Sequence, residues 1–223
     1  INNTKYKVRF FTPVEEVDLC GHATIATFWA VASLQHVPHL RCGGHILTQS
    51  SKAGDLKLYI DYEDHKLKEV TMAQPEAVVS GQLKDVDRLC KAFHIEPEDL
   101  GIEGVDLPLS FVSTGIKDLM LPVKDRETLM KMSLDAKALH DLSVDEDFYS
   151  VHAFTFTGEG EVTQRNFCPR LGIDEEAATG TSTGALISHL YDHGALKEPE
   201  LVALQGENMG RPSKLVAKIV DGE

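Results

Sequence analysis

Two residues suited to proton chemistry, Cys20 and His22, stand on either side of Gly21 where a strand-like run changes into an apolar helical run. A thiol and an imidazole can each accept or release a proton near neutral pH, and Asp18 adds a carboxylate just upstream. The triplet therefore predicts either one half of a proton-transfer site or an ordinary helix start, in which Cys20 is a small buried hydrophobe.

A similar arrangement occurs a second time in the chain. Residues 174–186 align without gaps with residues 15–27, so that Thr179, Gly180 and Thr181 take the places of the Cys-Gly-His triplet. Acidic residues precede both triplets. The alignment predicts an internal repeat of one unit, made of a strand, an acidic turn, small residues and a helix.

Both predicted helix starts could bind an anion. A helix N-terminus presents N–H groups without intrahelical partners and a partial positive charge. Gly21 and Gly180 would let a ligand approach the backbone closely. If both starts face one cleft, they form a clamp for a small carboxylate, with Glu176 and the acid, thiol and imidazole of the first start as proton carriers. Either start alone could be an ordinary helix entry, with Glu176 only a partner of the helix dipole; the duplication favours a site.

Hydrophobic periodicity predicts the elements that position these residues. Helices near 22–35 and 180–193 are apolar on nearly all sides, which is typical of enclosed helices, whereas 81–94 and 124–141 are amphipathic and belong outside. Several β-type runs alternate apolar and polar residues, as in VHAFTFTG, which predicts antiparallel strands with one buried face. The predicted strands are 6–11, 45–49, 56–61, 67–72, 109–113, 118–123, 151–157, 162–167 and 215–220.

These elements predict an α+β fold of two pseudo-symmetric lobes, each a curved, mainly antiparallel sheet or barrel wrapped around one central helix. The first lobe is expected to span 1–107, with its central helix near 22–35. The second is expected to span 108–223, with its central helix near 180–193, and the boundary lies near 104–110.

Composition excludes several function classes. The 223 residues carry a formal net charge of -13, which argues against nucleic acid or an anionic membrane as partner. We found neither a membrane-length apolar run nor a signal-peptide pattern, so we expect four reduced cysteines in a cytoplasmic protein. Walker A, Rossmann, Gly-x-Ser-x-Gly and His-Glu-x-x-His motifs are missing, so nucleotide, hydride-transfer and zinc-hydrolase chemistries lack their usual sequence markers.

A zinc site is a weaker alternative. His36, His39, Cys42 and His45 recur every three residues, and all are zinc-competent side chains. Pro38 and the glycines after Cys42 interrupt the backbone, however, so a helix would not align these four side chains. We therefore expect no metal here.

Four segments together resemble the PhzF family of phenazine-biosynthesis-like proteins. That family shares the diaminopimelate-epimerase fold, in which two pseudo-symmetric lobes each surround a central helix. The resemblance covers most of the chain, and its first motif is highly specific. The segments are RFFTPVEEVDLCGHAT (9–24), FVSTGIKDLMLPV (111–123), GIDEEAATGTSTGAL (172–186) and QGENMGRPS (205–213).

The resemblance implies a cofactor-independent isomerase that moves a proton on a small carboxylate-bearing substrate, and it suggests a homodimer. It implies His22 and Glu176 as proton carriers or orienting groups, with Cys20 lining the catalytic site. In related epimerases two cysteines act as base and acid, and Thr179 replaces the second of them here. The substrate-binding residues are then Gly21, Asp18, Thr179, Gly180 and Thr181.

Some positions depart from the family pattern. Glu176 stands where the family has an aspartate, Ala177 where it has a proline, and Thr181 where it usually has serine. The family's principal glutamate lies in a segment upstream of residue 9, and the first strands and the closing strand are missing from the expected lobes. The last strand is a candidate to return to the first lobe. We expect either that the sequence omits terminal residues or that the chain is a non-catalytic relative that binds small anions and has lost the general base.

Overall fold

A computed structural model describes residues 4–12, 15–37 and 42–220. The chain divides into two compact units, Ile1–Pro75 and Glu76–Glu223. This division lies well before the expected boundary after residue 107. The reason is that strand β7 (Val78–Gln82) pairs with strand β8 (Ser110–Ser113), which attaches the intervening segment to the second unit.

In its described residues, the first unit is a mixed sheet with one helix. The elements are β1 (Lys5–Lys7), β2 (Phe10–Phe11), β3 (Glu16–Val17), α1 (Gly21–Ser33), β4 (Gly43–Ser51), β5 (Gly54–Glu63) and β6 (Lys66–Met72). The sheet has the strand order β1-β4-β5-β6, in which β1 is parallel to β4 and the other pairs are antiparallel, while β2 and β3 form a separate antiparallel pair.

Helix α1 buries one face rather than its whole circumference. Phe28 and Ala32 are fully buried in a core that includes Leu58 and Ile60 of β5. Trp29 is 44% exposed on another side of the helix. The prediction of an enclosed helix is therefore wrong for α1, because the sheet of this unit contacts only one side of an almost uniformly apolar helix.

The second unit is built on one mixed sheet with the strand order β14-β13-β11-β10-β9-β8-β7, and β12 is added beside β11. The β9–β10 and β11–β13 pairs are parallel, and the other pairs are antiparallel. Its further elements are α2 (Val86–Phe93), β9 (Lys117–Pro122), α3 (Arg126–Lys131), α4 (Ala136–Asp145), β10 (Ser150–Gly158), β11 (Glu161–Cys168), β12 (Ile173–Glu176), α5 (Gly180–Asp192), β13 (Glu200–Gln205) and β14 (Ser213–Lys218).

Helices cover both faces of this sheet. Helices α2, α3 and α4 contribute to an apolar cluster with Leu119, Val151 and Phe167, whereas α5 packs with Met120 and Phe154. Alternate residues of the strands thus serve opposite layers. Helix α5 is enclosed, as predicted, and β14 pairs with β13 in this unit rather than returning to the first. None of the described helices is long and apolar enough to cross a membrane.

The single helix expected over 124–141 is in fact two helices, α3 and α4. Asp125 and Asp135 are N-cap residues, and each side chain accepts a hydrogen bond from the backbone N–H three residues later. A second cap inside the periodic stretch starts a new helix, which periodicity alone does not reveal.

We expect Asp135→Ala to lower the free energy of unfolding by about 1 kcal/mol, because the Ala138 N–H loses its acceptor 3.0 Å away. Urea unfolding would measure this change. Lys137→Ala, at an exposed position of the same helix, should change stability by less than about 0.5 kcal/mol. Equal effects of the two substitutions would contradict the capping role.

Candidate functional site

Helix α1 begins at Gly21, with Cys20 as its N-cap residue. The carbonyl oxygen of Cys20 accepts hydrogen bonds from Thr24 N at 3.0 Å and Thr24 Oγ1 at 2.9 Å. The Thr24 hydroxyl also lies 3.0 Å from Oε1 of the fully buried Gln49. The helix start is therefore fixed by a threonine and a glutamine beneath it.

Helix α5 begins at Gly180, the residue that the alignment matched to the start of α1. The carbonyl oxygen of its N-cap residue Thr179 accepts from Thr183 N at 3.0 Å and Thr183 Oγ1 at 2.8 Å. The buried Gln164 donates from Nε2 to the Thr183 hydroxyl at 2.8 Å. At both helix starts a threonine four residues after the N-cap residue donates to the N-cap carbonyl oxygen, and its hydroxyl contacts a buried glutamine. This similarity supports the internal repeat inferred from the sequence.

Both starts retain the properties that favour an anion. In these two fully described helices, neither N-cap side chain caps the first turn, and neither first turn contains an acidic residue. The partial positive charge of each N-terminus is therefore not offset by a carboxylate in its own first turn.

At the start of α1 a thiol and an imidazole are neighbours. Cys20 Sγ lies 3.6 Å from His22 Nε2 and 3.7 Å from Nδ1, and the His22 side chain is exposed to solvent. Asp18 is also exposed. The structure thus brings Cys20 and His22 together, as the sequence predicted, at a surface that a ligand can reach.

At the start of α5 the carboxylate of Glu176, the last residue of β12, contacts the N-cap residue. Its Oε2 accepts a hydrogen bond from Thr179 Oγ1 at 3.0 Å. Thr181 is buried, and its carbonyl oxygen accepts from Thr114 Oγ1 at 2.9 Å. Of the residues predicted here for the site, Glu176 and Thr179 are in direct contact.

The neighbouring Glu175 stabilises strand β12 instead of lying at the helix start. Successive strand residues face opposite sides of the sheet, so Glu175 points away from Glu176. Glu175 forms a two-pronged ion pair with Arg165, with both N–O distances 2.8 Å. This pair anchors β12 to β11 and so fixes the strand that carries Glu176.

A row of buried polar residues under α5 was missed by the sequence reasoning. It crosses three strands, β9, β10 and β11, on the face that α5 covers, and in each case the exposed fraction is 4% or less. A signal was available, since the residues from β10 and those from β11 stand two positions apart, which places them on one face of each strand. The residues are Asp118, Ser150, His152, Gln164 and Asn166.

Hydrogen bonds determine which ring nitrogen of His152 carries the proton. Asn166 Nδ2 donates to its Nδ1 at 3.1 Å, so the proton of the neutral ring is on Nε2, which donates to Gln164 Oε1 at 3.0 Å. Complete burial lowers the pKa of this imidazole to about 4, which keeps it neutral at pH 7.

Asp118 is the buried acid of this row. Its Oδ1 accepts from the Ser150 hydroxyl, and within the described part of the chain its Oδ2 has no hydrogen-bond partner. Burial raises the pKa of this carboxyl to about 7, although the hydroxyls of Ser150 and Ser182 act to lower it. The negative charge of Glu176 adds to the increase.

We expect Asp118→Asn to change how stability depends on pH. Between about pH 4 and pH 7 the folded protein holds a proton that the unfolded chain has released, so the free energy of unfolding falls as the pH rises. Because asparagine does not titrate, the variant lacks this decrease in stability with rising pH. Its stability relative to the wild type should therefore increase by about 2–4 kcal/mol from pH 4.5 to pH 8, as measured by urea unfolding. The exposed Asp106→Asn should show no such trend. A pH-independent difference for Asp118→Asn would contradict a buried, protonated acid.

The zinc alternative receives no support from the described residues. His36 and Cys42 are exposed, His45 packs edge-to-face against Tyr62, and His39 lies outside the described ranges. Among the residues that are described, no group of three or more His, Cys, Asp or Glu side chains is placed to hold a metal ion.

Comparisons with known proteins agree with this fold. The family model for phenazine biosynthesis-like proteins, PhzC-PhzF, matches residues 2–223. The chain is 30% identical to an uncharacterized isomerase of Bacillus subtilis, YfhB, over 94% of its own length and 70% of that protein. It is 28% identical to a trans-2,3-dihydro-3-hydroxyanthranilate isomerase of Pseudomonas fluorescens, over 95% of this chain and 69% of that protein.

The likeness extends to a solved structure. The crystal structure of a PhzF-family phenazine biosynthesis protein of Bacillus anthracis matches with a TM-score of 0.79 and 23% identity, over 94% of this chain and 70% of that one. This match confirms the predicted α+β fold class.

Proposed function

Since the chain belongs to the PhzC-PhzF family of phenazine biosynthesis-like proteins, we propose that it is an isomerase that moves a proton on a small carboxylate-bearing substrate, with the start of helix α1 and the start of helix α5 each a candidate place for the substrate carboxylate. The observation that carries this proposal is the pair of equivalent helix starts, each with a proton-carrying group beside it. Those groups are His22, with Cys20, at one start and Glu176 at the other.

The backbone and the side chains of each helix start have different roles. At either start, the backbone N–H groups around Gly21 or Gly180 and the helix dipole attract a carboxylate. Glu176 accepts a proton from a saturated carbon of the substrate, and the electron pair of the broken C–H bond stays in the substrate. A proton returned to another carbon completes the isomerisation without net oxidation, and His22 is the other candidate proton carrier of the chain.

The name of one relative supports the choice of substrate class. The Pseudomonas fluorescens protein is named for trans-2,3-dihydro-3-hydroxyanthranilate, a cyclic amino acid whose carboxylate suits a helix N-terminus. We use this compound as the probe. The homodimer and the cytoplasmic location remain predictions, and light scattering would test the first.

The proposal is tested by measuring binding and conversion of trans-2,3-dihydro-3-hydroxyanthranilate in parallel. Calorimetry should show binding, and NMR should show the isomeric product. His22→Asn should lower the rate of conversion by about 100-fold, while His140→Asn, at an exposed position of α4, should not change it. Binding without conversion would overturn the isomerase and support the anion-binding alternative. Neither binding nor conversion would overturn the assignment of this substrate class.

A further inference from the structure

The segment QGENMGRPS at 205–213 has no part in the function proposed so far. Its first residue, Gln205, ends strand β13 and is 1% exposed. From Nε2 it donates to the carbonyl oxygen of Glu176 at 2.8 Å and to Thr179 Oγ1 at 3.0 Å. Its Oε1 accepts from Thr179 N at 3.0 Å and Gln164 Nε2 at 2.9 Å. Both donors and both acceptor sites of this amide are therefore used, and three of the four bonds go to the turn 176–179.

The backbone of the same segment also packs on this turn. Gly206 has a φ of +84°, and a Cβ there would overlap the carbonyl oxygen of Arg211 and lie 2.7 Å from that of Ala177. Glycine is thus required both by the backbone conformation and by the space. The turn itself contains Ala177 and Ala178, which supply no side-chain hydrogen bond of their own.

One chain of hydrogen bonds runs from Gln164 to the carboxylate of Glu176. Gln164 donates to Gln205, Gln205 donates to the Thr179 hydroxyl, and that hydroxyl donates to Glu176 Oε2. Because the Thr179 oxygen accepts from Gln205, its own proton is directed at the carboxylate. Such a chain of aligned donors polarises each successive bond and favours one orientation of the last acceptor.

We propose that Gln205 is a positioning residue for Glu176: it clamps the turn 176–179 and directs the Thr179 hydroxyl toward the carboxylate that moves the proton. This inference rests on the proposed function of Glu176. Loss of the clamp leaves the carboxylate chemically intact but displaced from the reacting carbon. Because a displacement of about 1 Å can cost about 100-fold in rate, the effect belongs on kcat rather than on substrate binding.

The test uses Gln205→Met, which keeps the length of the side chain and removes its hydrogen bonds. With trans-2,3-dihydro-3-hydroxyanthranilate as probe, kcat should fall by about 10- to 100-fold while KM changes less than about twofold. Gln205→Glu should recover little, since a carboxylate cannot donate to Thr179 Oγ1 or to Glu176 O. Leu139→Ala, in the apolar layer on the other face of the sheet, controls for a general loss of stability and should leave kcat unchanged.

Amide hydrogen exchange at Thr179 gives a readout that does not depend on activity. Because the Thr179 N–H donates to Gln205 Oε1, Gln205→Met should lower the protection factor of this amide at least about tenfold. Retained protection contradicts the clamp, and lost protection with an unchanged kcat overturns the positioning role. A wild-type chain that converts no probe contradicts the proposed function and the positioning role with it, and Thr179 protection then reports on the clamp alone.

Discussion

Replacing Glu176 by glutamine is expected to lower kcat on trans-2,3-dihydro-3-hydroxyanthranilate by about 100- to 10,000-fold, the range observed when a group that transfers a proton is removed. Glutamine keeps the shape of the side chain, and its oxygen can still accept from Thr179 Oγ1, 3.0 Å away in the wild type. It cannot take up a proton. KM should therefore change little, and steady-state kinetics would separate the two effects.

Two further variants sharpen this experiment. Glu176→Asp keeps the carboxylate but shortens the side chain by one methylene, so its kcat should lie between those of the wild type and the glutamine variant. Glu159→Gln, with a side chain 84% exposed, is the matched control and should be fully active. A Glu176→Gln protein within about twofold of the wild-type kcat would show that Glu176 carries no proton.

Replacing Arg165 by leucine is expected to reduce the free energy of unfolding by about 3–5 kcal/mol, the usual cost of breaking a buried ion pair. The Arg165 side chain is 8% exposed and forms both prongs of the pair with Glu175. It also donates to the carbonyl oxygens of Leu129 and Met132 at 3.0 and 2.8 Å. Leucine would leave the carboxylate and both carbonyls without these donors.

Chemical denaturation would measure this loss, with Arg88→Leu as the control. Arg88 also pairs with a carboxylate at 2.9 Å, that of Asp145, but both side chains are well exposed. Such surface pairs contribute about 0–1 kcal/mol, so the control should be nearly neutral. Equal losses for Arg88→Leu and Arg165→Leu would indicate that burial does not increase the contribution of the Arg165–Glu175 pair to stability.

The helix starts were predictable because their determinants are local. Small residues at Gly21 and Gly180, followed by apolar helical runs, predicted α1 and α5 with starts close to those observed. The internal repeat also predicted that the two helix starts are equivalent. A contact between a threonine and a buried glutamine also occurs at both starts, although Gln49 and Gln164 are far from the starts in sequence.

The buried polar row was not predicted, because its partners come from distant strands. In VHAFTFTG the alternation indicated one buried and one solvent-exposed face, yet β10 is buried on both faces over residues 150–155. Its polar face lies beneath α5, where His152 and Ser150 find partners on β11 and β9. Periodicity detects which residues share a face but not what covers that face.

The domain boundary and the exposure of α1 depended on tertiary contacts as well. Strand β7 has no apolar alternation, and its five residues are all exposed, so nothing in its sequence predicted pairing with β8. Helix α1 carries almost the same apolar content on every side, and only packing against its sheet selects the face of Phe28 and Ala32.

The most direct test of proton transfer at these helix starts is the uptake of solvent deuterium into trans-2,3-dihydro-3-hydroxyanthranilate. The wild-type chain should incorporate one deuterium per product formed, detected by mass spectrometry, and Glu176→Gln should reduce the rate of incorporation in proportion to its kcat. A product formed without solvent deuterium would point to transfer of the same proton within a shielded site. Bound substrate that gains no deuterium and yields no product would contradict the isomerase and leave a protein that only binds its anion.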